Sequence, residues 1–238
     1  LAEQYSARSR CNRSATLRRL LRPCSTWKVL DLGSGDGSHI HAVLPAVRDV
    51  VLADLDAAAL AAGAARFGYQ TVLLPEEGAL PFADGEFDLT FCSSAIEHVT
   101  GPKGRVGLIS SSQAFRNTAL AHQKVLADEI RRISRSYFVQ TPHRYFVMDS
   151  HAWVPVPLAL MPRPWLLWLV PRLNRHWIKQ TRADWHLLSA ADMRQLFPDA
   201  RILVERSFGL PKSLIAVRLE TPDALSAEGE CAPVEAVR

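Results

Sequence analysis

The sequence is poor in cysteine, and its four, Cys11, Cys24, Cys92 and Cys231, form no Cys-x-x-Cys pair. Their spacing points to neither a zinc site nor a disulfide framework. No metal is expected, and a reducing cytoplasm is the default compartment. Long uninterrupted apolar runs are lacking too. A membrane-spanning helix needs about 20 consecutive apolar residues. The most apolar stretch, residues 153–170, is broken by Pro155, Pro157, Pro162 and Pro164, with Arg163 among them. Prolines at that density interrupt a helix repeatedly. A chain opening on Leu1 is expected to have lost its first residues, and the N-terminal stretch present holds no apolar segment of signal-peptide type. Acid is scarce at the start: residues 1–28 hold six arginines and Lys28 against Glu3 alone, within a net charge of +4. Such an end can meet nucleic acid, anionic lipid or a phosphorylated substrate, and a solvated helix face is the plainer reading. No internal repeat is found.

What is there suffices for one sizeable core. At 238 residues, 48% of them hydrophobic, the chain fits a single large domain or a domain with an insert. Residues 12–22 read as a short basic helix stopped by Pro23. KVLDL (28–32), VVLADL (50–55), QTVLL (70–74), FDLTFCSS (87–94) and SYFVQT (136–141) read as strands. Residues 39–47, 57–68 and 113–134 read as helices, with Gly68 as a stop. GPKGRVG (101–107) lacks the order of a phosphate loop and reads as a flexible connection. Strands alternating with helices mean an α/β fold, a parallel sheet covered on both faces.

The alternation breaks over 143–187 and resumes with a helix at 189–197, N-capped by Ser189. Two strands follow, 200–207 and 213–220, close enough to pair antiparallel. The chain thus divides into a basic N-terminal helix (1–27), a core (28–142), an insert (143–187), a completing helix and strand pair (188–220), and a tail (221–238) expected to be disordered.

The sharpest motif is VLDLGSGDGSHI (29–40), a strand running through a glycine turn into a helix. Gly33, Gly35 and Gly37 let the backbone bend and let a ligand lie against it. Asp54 ends the next strand, where an acidic side chain can bind ribose hydroxyls. The turn is G-x-G-x-G, without the third glycine of the G-x-G-x-x-G pattern, and Asp31 precedes it inside the strand. A carboxylate there repels a pyrophosphate and suits a cation, such as the ammonium or sulfonium region of S-adenosyl-L-methionine (SAM).

At this point the chain resembles the class I SAM-dependent methyltransferases, in particular the group called methyltransferase type 11. VLDLGSGDGSH is similar to their first motif, VLADLD to their second, and ALPFADGEFDLTFCSSAIEHV (79–99) to their LPF…FD…EHV stretch. The resemblance implies a Rossmann-like seven-stranded sheet of order 3-2-1-4-5-7-6 with the last strand antiparallel. It implies SAM as cofactor and S-adenosyl-L-homocysteine (SAH) as product. Asp31 and the turn Gly33, Ser34, Gly35, Gly37 would hold the methionine end, and Asp54 the ribose. Leu55 would lie against the adenine, with Glu76 or Glu77 accepting from its amino group; alignment favours Glu76. Ser93 and Ser94 would lie near the sulfonium.

A poor nucleophile also needs a base. Glu97 and His98 are the first candidates and His151 the next, while an organising or packing role is the alternative for His98. TPHRYFVMDSH (141–151) offers His143, Arg144 and Tyr145 for acceptor binding, or is a polar loop. The family's base-amine and amide enzymes often carry an Asn/Asp-Pro-Pro-aromatic motif after the fourth strand; CSSAIEH stands there instead, which argues against a nucleic-acid acceptor. Five of the six tryptophans, including Trp153 and Trp165, cluster with arginines in the insert. The insert reads first as an acceptor lid, next as a peripheral membrane contact, and otherwise as a packed subdomain. The expected function is methyl transfer in the cytoplasm to a small-molecule or lipid-type acceptor, in solution or at a membrane. An RNA or protein methyltransferase, or a non-catalytic SAM-binding partner, is the alternative.

Overall fold

The structure is a computed structural model that describes residues 15–21, 24–144, 161–176, 181–207 and 209–220. Seven strands form one sheet: β1 (Val29–Leu32), β2 (Val50–Asp54), β3 (Gln70–Leu73), β4 (Phe87–Ser93), β5 (Ser134–Pro142), β6 (Arg201–Ser207) and β7 (Leu210–Arg218). Their order is β3-β2-β1-β4-β5-β7-β6, as the sequence predicts. The first five pair in parallel, and β7 runs antiparallel to both β5 and β6.

Strand periodicity explains why both faces are covered. Leu30, Val51, Tyr137, Val139 and Leu214 point to one face, where α5 (Ser112–Ile133) and α7 (Ala190–Leu196) lie against them. Val29, Val50, Leu52, Phe138 and Ile215 point to the other, under α1 (15–21), α2 (Ser38–Val43) and α3 (Ala57–Phe67). Successive strand residues face opposite ways, so near-continuous apolar runs mark strands buried on both sides. The basic N-terminal helix is part of this packing. Leu17 and Leu21 are buried in the second cluster, and the Arg18 guanidinium donates to the Val43 carbonyl at 3.2 Å.

Local signals set the ends of several helices. Asp56 caps α3 by accepting from the Ala58 and Ala59 amides, and Gly68 stops it at φ 71°. Ser189 and Asp192 form a reciprocal capping box at α7. Two readings change. Residues 101–107 contain a one-turn helix, α4 (Lys103–Val106), held because Lys103 Nζ donates to the His98 carbonyl at 2.9 Å. The proline-rich insert also contains a helix, α6 (Arg163–Leu173). Pro164 falls in its first turn, where a missing N–H costs nothing, and Pro171 in its last. Cys24 is disulfide-bonded, where the cysteine spacing suggested no framework. Cys92 is a free, buried thiol. Among the described residues, no helix is long and apolar enough to cross a membrane.

Candidate functional site

The carboxyl ends of β1, β2 and β4 meet at the glycine turn. The Gly33 and Ser34 amides donate to the Ala53 carbonyl of β2, at 2.8 and 3.4 Å. Gly33 has φ 74°, and a Cβ there would lie 2.3 Å from the Ala95 side chain beyond β4. Only glycine lets the two loops approach this closely. Gly35 is different: a Cβ on it would meet nothing within 4 Å, so the turn is open on that side. The Gly35 amide donates to Asp54 Oδ2 at 2.8 Å, which ties the end of β2 to the turn.

Asp31 lies beneath the turn, 3% exposed, and its Oδ2 has no hydrogen-bond partner. Burial, with the charge of Asp54 adding to it, pushes the Asp31 carboxyl up to about 8. A buried carboxyl oxygen left unmet is costly. It fits a ligand that brings a cation to the turn.

The remaining cofactor candidates ring the same edge. Leu55 is 47% exposed at the end of β2. Glu76 and Glu77 are exposed after β3, and Ser34 is buried in the turn. Ser94 adopts φ 58°, unusual for a residue with a side chain. Its amide donates to the Gln140 backbone carbonyl at 2.9 Å, and the Ser93 and Ser94 hydroxyls donate to Gln140 Oε1 at 2.8 and 3.2 Å.

Known proteins agree with this geometry. Residues 29–133 match a family model described as a methyltransferase domain. The match spans under half of the chain, and over that part the chain is similar to the methyltransferase-domain family. Its fold resembles a SAM-dependent methyltransferase from Mesorhizobium loti (TM-score 0.52, 15% identity, covering 85% of this chain and 95% of that one). It also resembles the PH0226 protein of Pyrococcus horikoshii (TM-score 0.50, 14% identity, covering 89% of each). A third likeness is the methyltransferase domain of bacterial CtHen1-C (TM-score 0.50, 14% identity, covering 90% and 97%). No curated protein matches. The open turn, with the unmet carboxyl oxygen of Asp31 beneath it, has room for a cationic ligand.

Beyond the glycine turn, β4 leads into a 3-10 turn, Ile96–His98, that three elements hold. Glu97 is fully buried; the Thr141 hydroxyl of β5 donates to its Oε2 at 3.1 Å, and the His186 amide to its carbonyl at 2.8 Å. Gln123 of α5 donates to the Ile96 and His186 carbonyls, both at 3.0 Å. Its Oε1 therefore faces His186 Nδ1, 3.0 Å away, which must carry the proton. Burial holds His186 down to about 4, so it is neutral near pH 7 and structural in character.

His98 differs from Glu97. Its side chain is 39% exposed, and Nδ1 lies 3.4 Å from Asp184 Oδ1. Asp184 Oδ2 accepts from Lys103 Nζ at 3.0 Å, and the Thr100 hydroxyl donates to the Asp184 carbonyl at 2.7 Å. Burial alone would raise the Asp184 carboxyl; hydrogen bonds from His98 and Lys103, with their charges, outweigh it and hold it down to about 2.

Of the acceptor candidates, His143 and Arg144 follow β5 and are partly buried, and burial lowers the His143 pKa. Trp165 is exposed on α6. Tyr145, His151 and Trp153 lie outside the described residues. Asp184, Gln123 and Gln140 were not singled out from the sequence. Gln140 and Gln123 did leave a trace, as polar residues inside an apolar strand and on the apolar stripe of a helix. Asp184 left none. Among the described residues, no three His, Cys, Asp or Glu side chains gather to hold a metal.

Proposed function

We propose that this methyltransferase moves the methyl group of SAM to a small-molecule or lipid-type acceptor, with His98 receiving the acceptor's proton. The observation that carries the reading is the half-exposed His98 set against the ionised Asp184 directly after the cofactor edge. With Asp184 accepting from Nδ1–H, Nε2 is the ring nitrogen that takes the proton. The 3.4 Å separation is long for a hydrogen bond, and such contacts tighten when substrate binds. Bound SAM supplies a methyl already activated by its sulfonium, so alignment comes first. Transfer would join the acceptor's lone pair to the methyl carbon as the S–C bond breaks and SAH leaves, and His98 Nε2 would take the acceptor's proton. Within the same reading, Asp31 faces the SAM ammonium, Asp54 the ribose hydroxyls, and Leu55 and Glu76 the adenine. His143 and Arg144 border the acceptor.

Incubating lysate fractions with methyl-labelled SAM tests the acceptor class. Label is expected in lipid or small-molecule fractions; label confined to RNA or protein, or to none, overturns the reading. With the acceptor in hand, His98→Ala is expected to lower kcat about 100-fold while SAM affinity stays unchanged. Asp184→Asn is expected to lower kcat less, in the same direction. An unchanged kcat in His98→Ala removes the base from the mechanism.

A further inference from the structure

The acceptor-side helix α6 has two unlike faces. Arg163, Leu166 and Val170 are buried, with Trp185 and Leu187 packed against the same cluster. Trp165 and Trp168, on the opposite stripe, are 60% and 52% exposed, their rings 6.4 Å apart and edge to face. Arg172 sits over the Trp168 ring at 4.0 Å. The buried Arg163 guanidinium ties the start of the helix to a neighbouring loop. It donates to the carbonyls of Ile109 (2.7 Å), Val106 (2.7 Å) and Ala183 (2.9 Å), so the loop after α4 is fastened to the start of α6. Leu108, in that loop, is 82% exposed.

Charge is one-sided across these segments. The sequence holds no Asp or Glu from 98 to 127, and none from 150 to 183. The same two stretches carry Arg105, Arg172 and Arg175, and Arg172 lies against Trp168; Lys103 is already paired with Asp184. An exposed Trp pair with Arg172 over one ring, and an exposed Leu108 in a stretch rich in cations, complement a surface that is apolar within and anionic at its rim. Trp and Arg prefer the headgroup level of a bilayer. An 11-residue helix spans about 16 Å, too short to cross and suited to lying in the interface.

We infer that the outward face of α6, with the Leu108 loop, docks this protein onto an anionic lipid bilayer. A single-stranded nucleic acid fits less well. Arg172 already covers one face of Trp168, and Leu108 offers no ring for a base to stack on. The inference does not require the proposed acceptor: it concerns where the protein sits.

Co-sedimentation tests it with vesicles of phosphatidylcholine alone and of phosphatidylcholine mixed with phosphatidylglycerol, at low and high salt. Binding to the mixed vesicles only, weakening with salt, is expected. Trp165→Ser with Trp168→Ser is expected to weaken binding at least about tenfold. Arg172→Gln with Arg175→Gln is expected to cost about fivefold per charge. Circular dichroism and melting of each variant check that the fold survives. No sedimentation with anionic vesicles, or binding that both variants retain, overturns the inference. Trp-dependent binding to an RNA oligonucleotide without vesicle binding overturns it in favour of nucleic acid. Loss of a dimer in the Trp variant, without vesicle binding, overturns it in favour of a second copy. None of these readouts needs methyl transfer, so failure here leaves the proposed function standing, and the reverse holds too.

Discussion

The two ends of this active-site edge solve opposite problems. At the glycine turn the protein leaves polar capacity unmet: Asp31 Oδ2 has no partner, and the space above Gly35 is open. Around α6 it meets that capacity internally, with three carbonyls sharing the buried Arg163 and Asp184 drawing on both Lys103 and His98, and it turns apolar rings outward. One end is prepared for a small charged ligand that completes its hydrogen bonding. The other has its buried Arg163 and Asp184 paired internally, with His186 Nε2 unmet, and presents a surface. A cofactor common to a family needs the first, and an acceptor or docking face particular to one protein is built from the second.

The comparison breaks first if the finished end is not self-sufficient. Arg163→Met would keep much of the bulk and strip the donors from three carbonyls. Buried unsatisfied groups cost about 1–3 kcal/mol each. With some relaxation, we expect a stability loss of about 3 kcal/mol by chemical denaturation, and Arg163→Lys should recover only part, since an ammonium cannot reproduce the planar fork. SAM affinity should be unaffected in both. A parallel fall in affinity would show that the ends are one cooperative unit.

At the unfinished end the expected effect is on binding. The Asp31 carboxyl, raised to about 8 from 3.8, keeps its proton in the folded protein where the unfolded chain has lost it. Its contribution to stability is therefore largest below the unfolded value and declines as pH rises towards about 8. A cationic ligand reverses the preference. Its arrival favours the carboxylate, so binding near pH 7 should release a proton from Asp31, and SAM affinity should rise with pH and level off above the folded pKa. Calorimetry in two buffers of different ionisation enthalpy counts that proton. Asp31→Asn should remove the Asp31 share of it and weaken binding about 10–100-fold, the range for a charge-assisted hydrogen bond. A variant that binds as tightly, with the same proton release, would place the ammonium elsewhere.

How legible each end was in the sequence depends on how local its physics is. The glycine turn, Asp54, the Gly68 stop and the Ser189 cap depend on neighbours a few residues away, and each was readable. Sheet order came with the motifs, because three of them in order fix the family. The finished end is non-local. Arg163 reaches carbonyls 54, 57 and 20 residues away, and His98 meets Asp184 across 86. No spacing rule encodes such partners. The prolines of the insert argued against a membrane-spanning helix, and among the described residues none is long and apolar enough to cross; a short helix forms there with Pro164 in its first turn, where a helix tolerates it.

Leu55 gives the smallest and most discriminating test. Its side chain is 47% exposed at the end of β2, so in the free protein it contributes little packing, and Leu55→Ala should leave the melting temperature unchanged. If adenine lies against it, the same truncation removes apolar area that is buried only in the complex. At about 25 cal/mol per Å² the loss is about 1 kcal/mol, or roughly fivefold in SAM affinity. Leu166, buried on α6, should behave in the reverse sense: Leu166→Ala should lower stability and leave SAM affinity alone. Two leucines with opposite readouts would mean that the cofactor end gains its packing from the ligand and the acceptor end from itself. If Leu55→Ala destabilises the free protein as Leu166→Ala does, the contrast between the ends is not one of completeness.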